Sequence, residues 1–134
     1  MSDAEMTERF IGALHALERE RDLDPITGLF GPDSTVGNIV SPREFRGPEG
    51  AREFWEAYRG TFGEMDSSFR NVIVGDGRAA LEWETTGTSA DGDPVAYAGV
   101  SILEMADGQI SRFRAYFDPS DLGHQMEASG ARSA

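Results

Sequence analysis

The sequence predicts an α+β fold in which helices come first and an antiparallel sheet follows. In the first half, apolar residues recur at the three- and four-residue spacing of helices. In the second half, segments rich in Val, Ile, Thr and aromatic residues are separated by evenly spaced Asp-Gly pairs, which favour tight hairpin turns. These pairs are Asp76-Gly77, Asp91-Gly92 and Asp107-Gly108. The predicted element order is α-α-β-α-β-β-β-β.

The first helix is predicted over residues 3–21. Its apolar face consists of Met6, Phe10, Ala13, Leu14 and Leu17. The opposite, solvent-facing side is expected to carry Glu8, Arg9, Glu18 and Arg19.

A second, short helix is predicted over residues 24–30, because Asp24 suits an N-cap and Pro25 the first helical position. The segment 31–33 is expected to end it, followed by a strand over residues 34–40 and a loop over residues 41–47. A third helix then opens at Pro48 and carries an apolar, mainly aromatic stripe. That stripe is Ala51, Phe54, Trp55, Tyr58 and Phe62.

The four remaining strands are expected at 67–75, 78–88, 94–105 and 109–118. Alternation along a strand predicts an inner face that packs against the helices. Its members are Leu81, Trp83, Thr85, Tyr97, Gly99, Ser101, Leu103, Phe113, Ala115 and Phe117. The outer face carries two acids, Glu82 and Glu84, which we expect to pair with Arg112 and Arg114 across strands. This outer face is either solvated or the interface of a homodimer.

Composition excludes several classes of function. The 134 residues are expected to form one domain over 1–122 with a C-terminal tail over 123–134. A net charge of −12 argues against nucleic acid and against an anionic membrane surface. The chain has no Cys and two His, so no metal site is expected. It has no Lys, which excludes Schiff-base chemistry through a lysine. No cofactor is predicted. No signal or transmembrane segment is found, and a cytoplasmic protein is predicted.

Several local sequences, in the order of the predicted elements, resemble the nuclear-transport-factor-2-like superfamily. They are Leu23-Asp24-Pro25-Ile26, Leu29-Phe30, Asp33, Arg46-Gly47, Asp107-Gly108-Gln109-Ile110 and Tyr116-Phe117-Asp118. The resemblance covers residues 6–122. The superfamily includes ketosteroid isomerases, limonene-type epoxide hydrolases and SnoaL-like polyketide cyclases. It implies a cone in which three helices wrap a curved, mostly antiparallel sheet, with a pocket at the open end and usually a dimer.

The resemblance does not carry over the charged residues of the two best-defined enzyme groups. Where limonene-type epoxide hydrolases have their Asp, Arg and Asp, this chain has Ala115, Trp83 and Thr85, and only the water-holding Asn is matched, by Asn38. Where ketosteroid isomerases have a proton-shuttling Asp, it again has Asn38. Their oxyanion Tyr falls near Leu14, and their second acid near residues 98–99. Neither mechanism is therefore expected.

The candidate site is a pocket on the inner face. Its predicted lining is Leu14, Val36, Asn38, Phe54, Tyr58, Leu81, Trp83, Thr85, Tyr97, Ser101, Phe113, Ala115 and Phe117. Asn38 and Tyr97 are the candidate catalytic groups, as donors to one polar group of an apolar ligand. Asn38 could instead bond a neighbouring backbone group, and Trp83 could be plain core. His15 is expected to be structural, and Asp118 either a pocket-rim acid or a turn cap.

Two functional hypotheses follow. The first is a protein that binds a hydrophobic small molecule, acting as an isomerase, lyase or cyclase on a carbonyl or polyketide-like substrate by positioning and electrostatic stabilisation. The second is a non-catalytic ligand-binding or dimerisation module whose aromatic residues fill the cavity. A cavity of roughly 300 Å³ or more, the lower end for ligand sites, distinguishes them.

Overall fold

The computed structural model describes residues 2–120. Its helices are α1 (Asp3–Glu20), α2 (Asp24–Thr27) and α3 (Gly47–Gly60). Helix α1 begins where the Ser2 side chain accepts a hydrogen bond from the Glu5 N–H, and it ends at Arg21, whose backbone is left-handed. The predicted tail over residues 123–134 lies outside the described residues.

The strands are β1 (Phe30–Asn38), β2 (Phe45–Arg46), β3 (Phe62–Gly75), β4 (Arg78–Ser89), β5 (Pro94–Ala106) and β6 (Gln109–Phe117). They form one sheet in the order β2-β1-β6-β5-β4-β3, so that β2 and β3 are its edges. The β1–β6 pairing is parallel and the others are antiparallel. The predicted α+β fold and element order are confirmed, with β2 as a two-residue addition inside the expected loop.

The turns between β3 and β4 and between β5 and β6 have the geometry that their Asp-Gly pairs predict. Asp76 and Gly77 have φ values of 51° and 73°, and Asp107 and Gly108 have 55° and 72°. Two consecutive positive φ values match the twist of the flanking strands, and glycine adopts the second without steric cost.

The core lies between the inner face of the sheet and helices α1 and α3. All five residues of the predicted α1 apolar face are buried, and Trp55 of α3 is 2% exposed. Trp55 contacts the rings of Phe54 and Phe113, both at 4.9 Å between centroids, in edge-to-face geometry. Helix α3 is thereby fixed against β6.

Some predicted boundaries were wrong. Helix α2 ends at Thr27, with Leu23 rather than Asp24 at its N-cap. Residues 31–33 belong to β1, where the pairing with β6 is irregular between Phe30 and Thr35. Strand β3 begins at Phe62, five residues early, because this end pairs with the far end of β4.

Two predictions about charged residues were also wrong. Glu18 is 1% exposed rather than solvated. The outer acids cannot pair with Arg112 and Arg114, because β5 lies between β4 and β6. Glu84 instead pairs with Arg70 of β3 at 2.8 Å, and Arg112 pairs with Glu104 of β5 at 3.3 Å. Both are neighbouring-strand pairs.

The helices of residues 2–120 include none whose length and apolar character would let it cross a membrane.

Candidate ligand-binding cavity

A cavity of about 360 Å³ opens between the inner sheet face and helices α1 and α3. Its volume lies within the range of small-molecule sites, so the aromatic side chains do not fill the space. Most of its lining is apolar. Lining residues that were not predicted as part of the pocket include Phe10, Val40, Arg43, Phe45, Trp55, Phe62, Ser67 and Phe69.

The strand register arranges the sheet side of the cavity in three cross-strand rows. The first row contains Asn38, Ala115 and Ser101. The second contains Phe117, Gly99, Trp83 and Phe69. The third contains Tyr97, Thr85 and Ser67. An aromatic row therefore separates two polar rows.

All but two of the predicted lining residues border the cavity. The two exceptions are Val36 and Leu81, which have no exposed surface and belong to the core cluster. The two candidate catalytic residues, Asn38 and Tyr97, both border the cavity, but on different polar rows. The sequence-based expectation was instead that both residues would lie near one polar group of the ligand.

Trp83 and Gly99 shape the aromatic row together. The Trp83 indole donates its Nε1–H to Ser101 Oγ at 2.9 Å, which fixes the ring over the sheet. A Cβ atom at Gly99 would lie 2.8 Å from Trp83 Cζ2 and 2.9 Å from Phe117 Cβ. The same Cβ would also clash with the Tyr116 carbonyl oxygen, so glycine is required for β6 and the Trp83 ring to lie this close to the strand.

Asn38 makes the backbone hydrogen bond that was considered for it and also borders the cavity. Its Oδ1 accepts a hydrogen bond from the Val40 N–H at 3.0 Å, which holds the chain as it leaves β1. Within residues 2–120 its Nδ2 has no protein partner, and the residue borders the cavity. The amide N–H₂ is therefore available as a donor.

Glu18, which was predicted to face solvent, is instead a buried hydrogen-bonding residue behind the cavity wall. Its Oε1 accepts the Ser67 N–H at 2.8 Å, and its Oε2 accepts the hydroxyls of Tyr58 at 2.8 Å and Ser67 at 2.6 Å. The Ser67 hydroxyl also contacts Thr85 Oγ1 at 2.6 Å. Glu18 does not itself border the cavity. Its partners Tyr58 and Ser67 do, and so does Thr85, which contacts Ser67. We call Tyr58, Ser67, Thr85 and Tyr97 the polar end of the cavity.

Glu18 and His15 also anchor α1 to the edge strand β3. His15 Nε2 lies 2.9 Å from the Ser67 carbonyl oxygen, so one serine has its backbone N–H and C=O bonded by two helix residues. Edge strands leave such groups unpaired unless something covers them. The structural role predicted for His15 is confirmed.

His15, Glu18 and Asp66 come close enough together to be considered as metal ligands, with donor atoms within 4.8 Å of one another. Each already has a protein partner: His15 the Ser67 carbonyl, Glu18 its three donors, and Asp66 the Arg19 Nε at 2.6 Å. These hydrogen bonds would compete with a metal ion for the same side chains.

The two tyrosines of the polar end are held as neutral phenols. Burial, followed by the charge of Glu18, raises the pKa of Tyr58 well above its ordinary value. The same two causes raise the pKa of Tyr97. Both hydroxyls therefore keep their protons at neutral pH and are hydrogen-bonding groups rather than bases.

Asp118 is a turn cap, one of the two roles considered for it. Its Oδ1 accepts the Ser120 N–H at 3.0 Å and the Ser120 hydroxyl at 2.8 Å. It is not among the residues that border the cavity.

Removing the hydroxyl of Tyr58 should destabilise the protein, whereas removing that of Tyr97 should not. Tyr58→Phe deletes a hydrogen bond to a buried carboxylate, so we expect a loss of about 1.5–3 kcal/mol in the free energy of unfolding. Tyr97 has no hydrogen-bond partner within the described chain, and Tyr97→Phe is the matched control, with an expected change below about 0.5 kcal/mol. Urea unfolding of both variants measures this difference, and equal losses would contradict it.

The raised tyrosine pKa values also predict an alkaline loss of stability. A group whose pKa is higher in the folded than in the unfolded chain stabilises the fold fully below the unfolded value of about 10 and loses this effect as the pH rises above it. Unfolding free energies should therefore fall above pH 10 by up to about 1.4 kcal/mol per pH unit for each such tyrosine. Urea titrations between pH 9 and 11 should show a shallower fall in Tyr97→Phe, and an unchanged slope would contradict the prediction.

The sequence profile of the SnoaL-like domain family matches residues 8–113, which is most of the chain. The chain belongs to the SnoaL-like domain family. A steroid Delta-isomerase from Nocardioides simplex is 29% identical over 98 residues, covering 72% of this chain and 77% of that protein.

Solved structures of other proteins share the fold. TerC co-crystallised with polyporic acid has a TM-score of 0.79 at 20% identity, over 93% of this chain and 98% of that chain. An LEH-like epoxide hydrolase from M. tuberculosis has a TM-score of 0.72 at 18% identity, over 95% and 90% of the two chains. The family resemblance inferred from the sequence is thus confirmed.

Proposed function

We propose that this SnoaL-like protein binds a flat, apolar small molecule in the cavity and acts on it as an isomerase, lyase or cyclase. The observation that carries the proposal is a space of about 360 Å³ that is walled by aromatic rings and has hydrogen-bonding groups at two separate places. Apolar enclosure with a few placed polar groups is the usual character of ligand sites.

A carbonyl oxygen of the ligand would be held in the first polar row. There the Asn38 Nδ2 is uncommitted, and the Ser101 hydroxyl, which accepts from Trp83, retains its own hydrogen. Donors fixed in an apolar enclosure stabilise negative charge that develops on such an oxygen. The steroid Delta-isomerase relative supports a cyclic, apolar substrate, and the co-crystallisation of TerC with polyporic acid supports a small-molecule ligand.

A non-catalytic binding module is the second candidate. The positions that carry charged groups in the resembling epoxide hydrolases hold Trp83, Thr85 and Ala115, and all three border the cavity without supplying an acid or a base. Turnover of a bound compound, followed by NMR, separates the two candidates once a ligand class is known.

Ligand-dependent thermal unfolding tests the binding proposal. A ligand at one hundred times its dissociation constant adds about 2.7 kcal/mol, which for a chain of this size raises the midpoint by roughly 8 °C. The panel would hold steroid and terpenoid ketones, phenols and polyketide-like aromatics. Ala115→Phe fills the cavity floor and should abolish the shift, while Ala106→Phe, on an exposed position of β5, should leave it intact. The absence of a shift in the wild type would contradict the proposal.

We also propose that the protein is a homodimer that pairs through the outer sheet face. An apolar strip crosses this face at Ile73, Ala80 and Ile102, which the register aligns, and Ile73 is 69% exposed. An exposed apolar strip of this kind favours association. Sedimentation equilibrium at micromolar concentration should give a dimer, and a monomer would contradict this proposal.

A further inference from the structure

The direction of the hydrogen bonds around Glu18 determines what the polar end of the cavity can offer a ligand. An ionised carboxylate only accepts, and three donors reach its two oxygens: the Tyr58 hydroxyl, the Ser67 hydroxyl and the Ser67 N–H. Each hydroxyl has a single hydrogen. The hydrogens of Tyr58 and Ser67 are therefore committed to Glu18.

The hydrogen bond between Ser67 and Thr85 also has a fixed direction. Because the hydrogen of Ser67 is on Glu18, the 2.6 Å contact between Ser67 Oγ and Thr85 Oγ1 is made by the hydrogen of Thr85. Tyr58 and Thr85 both border the cavity, but the Tyr58 hydrogen is directed to Glu18 and the Thr85 hydrogen to Ser67. What remains on them for a ligand is the lone pairs of their oxygens.

Tyr97 adds a donor beside these two acceptors. It lies opposite Thr85 in the β4–β5 register, and its hydroxyl has no hydrogen-bond partner among residues 2–120. Its pKa is raised, so that the proton is retained. The polar end thus presents two acceptors and one donor.

We propose that the polar end binds a hydroxyl group of the ligand, a phenol or an enol, and that Glu18 determines this specificity without touching the ligand. A hydroxyl donates to Tyr58 or Thr85 and accepts from Tyr97. A carbonyl or ether oxygen, which only accepts, uses Tyr97 but meets lone pairs at the other two. Together with the carbonyl site near Asn38, this describes a ligand with an oxygen acceptor at one end and a hydroxyl at the other. The inference rests on the proposed ligand-binding function.

Glu18 also anchors α1 on β3, so a test must separate specificity from stability. Two probes that differ only at the oxygen, 2-naphthol and 2-methoxynaphthalene, provide this separation, because a general loss of folding weakens both equally. Their dissociation constants would be measured by calorimetry at pH 7. We expect the wild type to bind 2-naphthol about tenfold more tightly than the methyl ether.

In Glu18→Gln the carboxamide N–H₂ can donate to the Tyr58 or Ser67 hydroxyl. The hydroxyl hydrogens of Tyr58, Ser67 and Thr85 are then no longer held in one direction. The preference for 2-naphthol should then fall below about threefold. Thr85→Val removes one of the two acceptors but keeps Glu18 bonded to Tyr58 and Ser67, so it should also reduce the preference for 2-naphthol. This variant provides the test if Glu18→Gln does not fold. Tyr97→Phe is the control: it removes a donor that both probes use, so both affinities should fall while their ratio is kept.

The outcomes are distinguishable. If the wild type binds both probes equally, or if the preference survives in both Glu18→Gln and Thr85→Val, the specificity role of Glu18 is overturned while ligand binding stands. If neither probe binds the wild type, the proposed ligand-binding function fails, and the inference is overturned with it.

Discussion

Replacing Trp55 by alanine should lower the free energy of unfolding by about 3–5 kcal/mol, which is the usual range for truncating a fully buried tryptophan. For a chain of this length that corresponds to a fall of roughly 10–20 °C in the thermal midpoint. The effect is large because the Trp55 ring lies at the centre of the aromatic cluster. Its ring centroid lies 4.9 Å from those of Phe54 and Phe113 and 5.4 Å from that of Tyr58.

Trp55→Phe is the matched variant for this prediction. The Trp55 Nε1–H has no hydrogen-bond partner within the described residues, so phenylalanine removes ring volume without breaking a hydrogen bond. We expect a loss of about 1–2 kcal/mol, well below that of alanine. Thermal and urea unfolding of the two variants would measure it. Similar losses for Phe and Ala would show that packing by the ring is not what stabilises the α3–sheet contact.

Replacing Glu18 by alanine should cost about 3 kcal/mol, although acids on helix surfaces are ordinarily neutral to mutation. The substitution leaves the Ser67 N–H and the hydroxyls of Tyr58 and Ser67 without their acceptor, and each unsatisfied buried donor costs about 1–3 kcal/mol. The Tyr58 and Ser67 hydroxyls can form other hydrogen bonds within the cavity, so the loss in the free energy of unfolding is smaller than the sum of three separate penalties. The thermal midpoint should fall by roughly 10 °C.

Glu84→Ala provides the comparison for Glu18→Ala. Glu84 pairs with Arg70 at 2.8 Å on the outer face, with both side chains more than half exposed. Such surface pairs contribute about 0–1 kcal/mol, so the urea midpoint should hardly move. Equal effects of the two alanine substitutions would mean that the carboxylate of Glu18 is not a buried hydrogen-bonding centre.

Much of the fold was predictable from the sequence, because local patterns report local geometry directly. Apolar spacing in α1 identified its buried residues, and the Asp-Gly pairs located hairpins whose positive φ values the structure shows. Alternation along β4, β5 and β6 identified the inner face. Most predicted lining residues follow from this alternation, since a curved sheet with helices on one side leaves space only there.

The exceptions to the predicted lining have a common cause. Alternation gives the face of a residue but not its position along the strand relative to helices that pack on that face. Val36 and Leu81 are therefore on the correct face but under the helices, in the core. The separation of Asn38 from Tyr97 has the same origin, because it depends on the register of β1, β6 and β5.

The sequence by itself determined the order of the elements, the sheet face that borders the cavity and the family to which the chain belongs. Only the tertiary structure decided the role of Glu18. The helical spacing Met6, Phe10, Leu14 in steps of four continues to Glu18 and so places it on the buried face, but its charge indicated solvent. A buried carboxylate is stable only when donors surround it. Those donors, Tyr58 of α3 and Ser67 of β3, lie 40 and 49 residues further along the chain, so only the packing of the three elements brings them together.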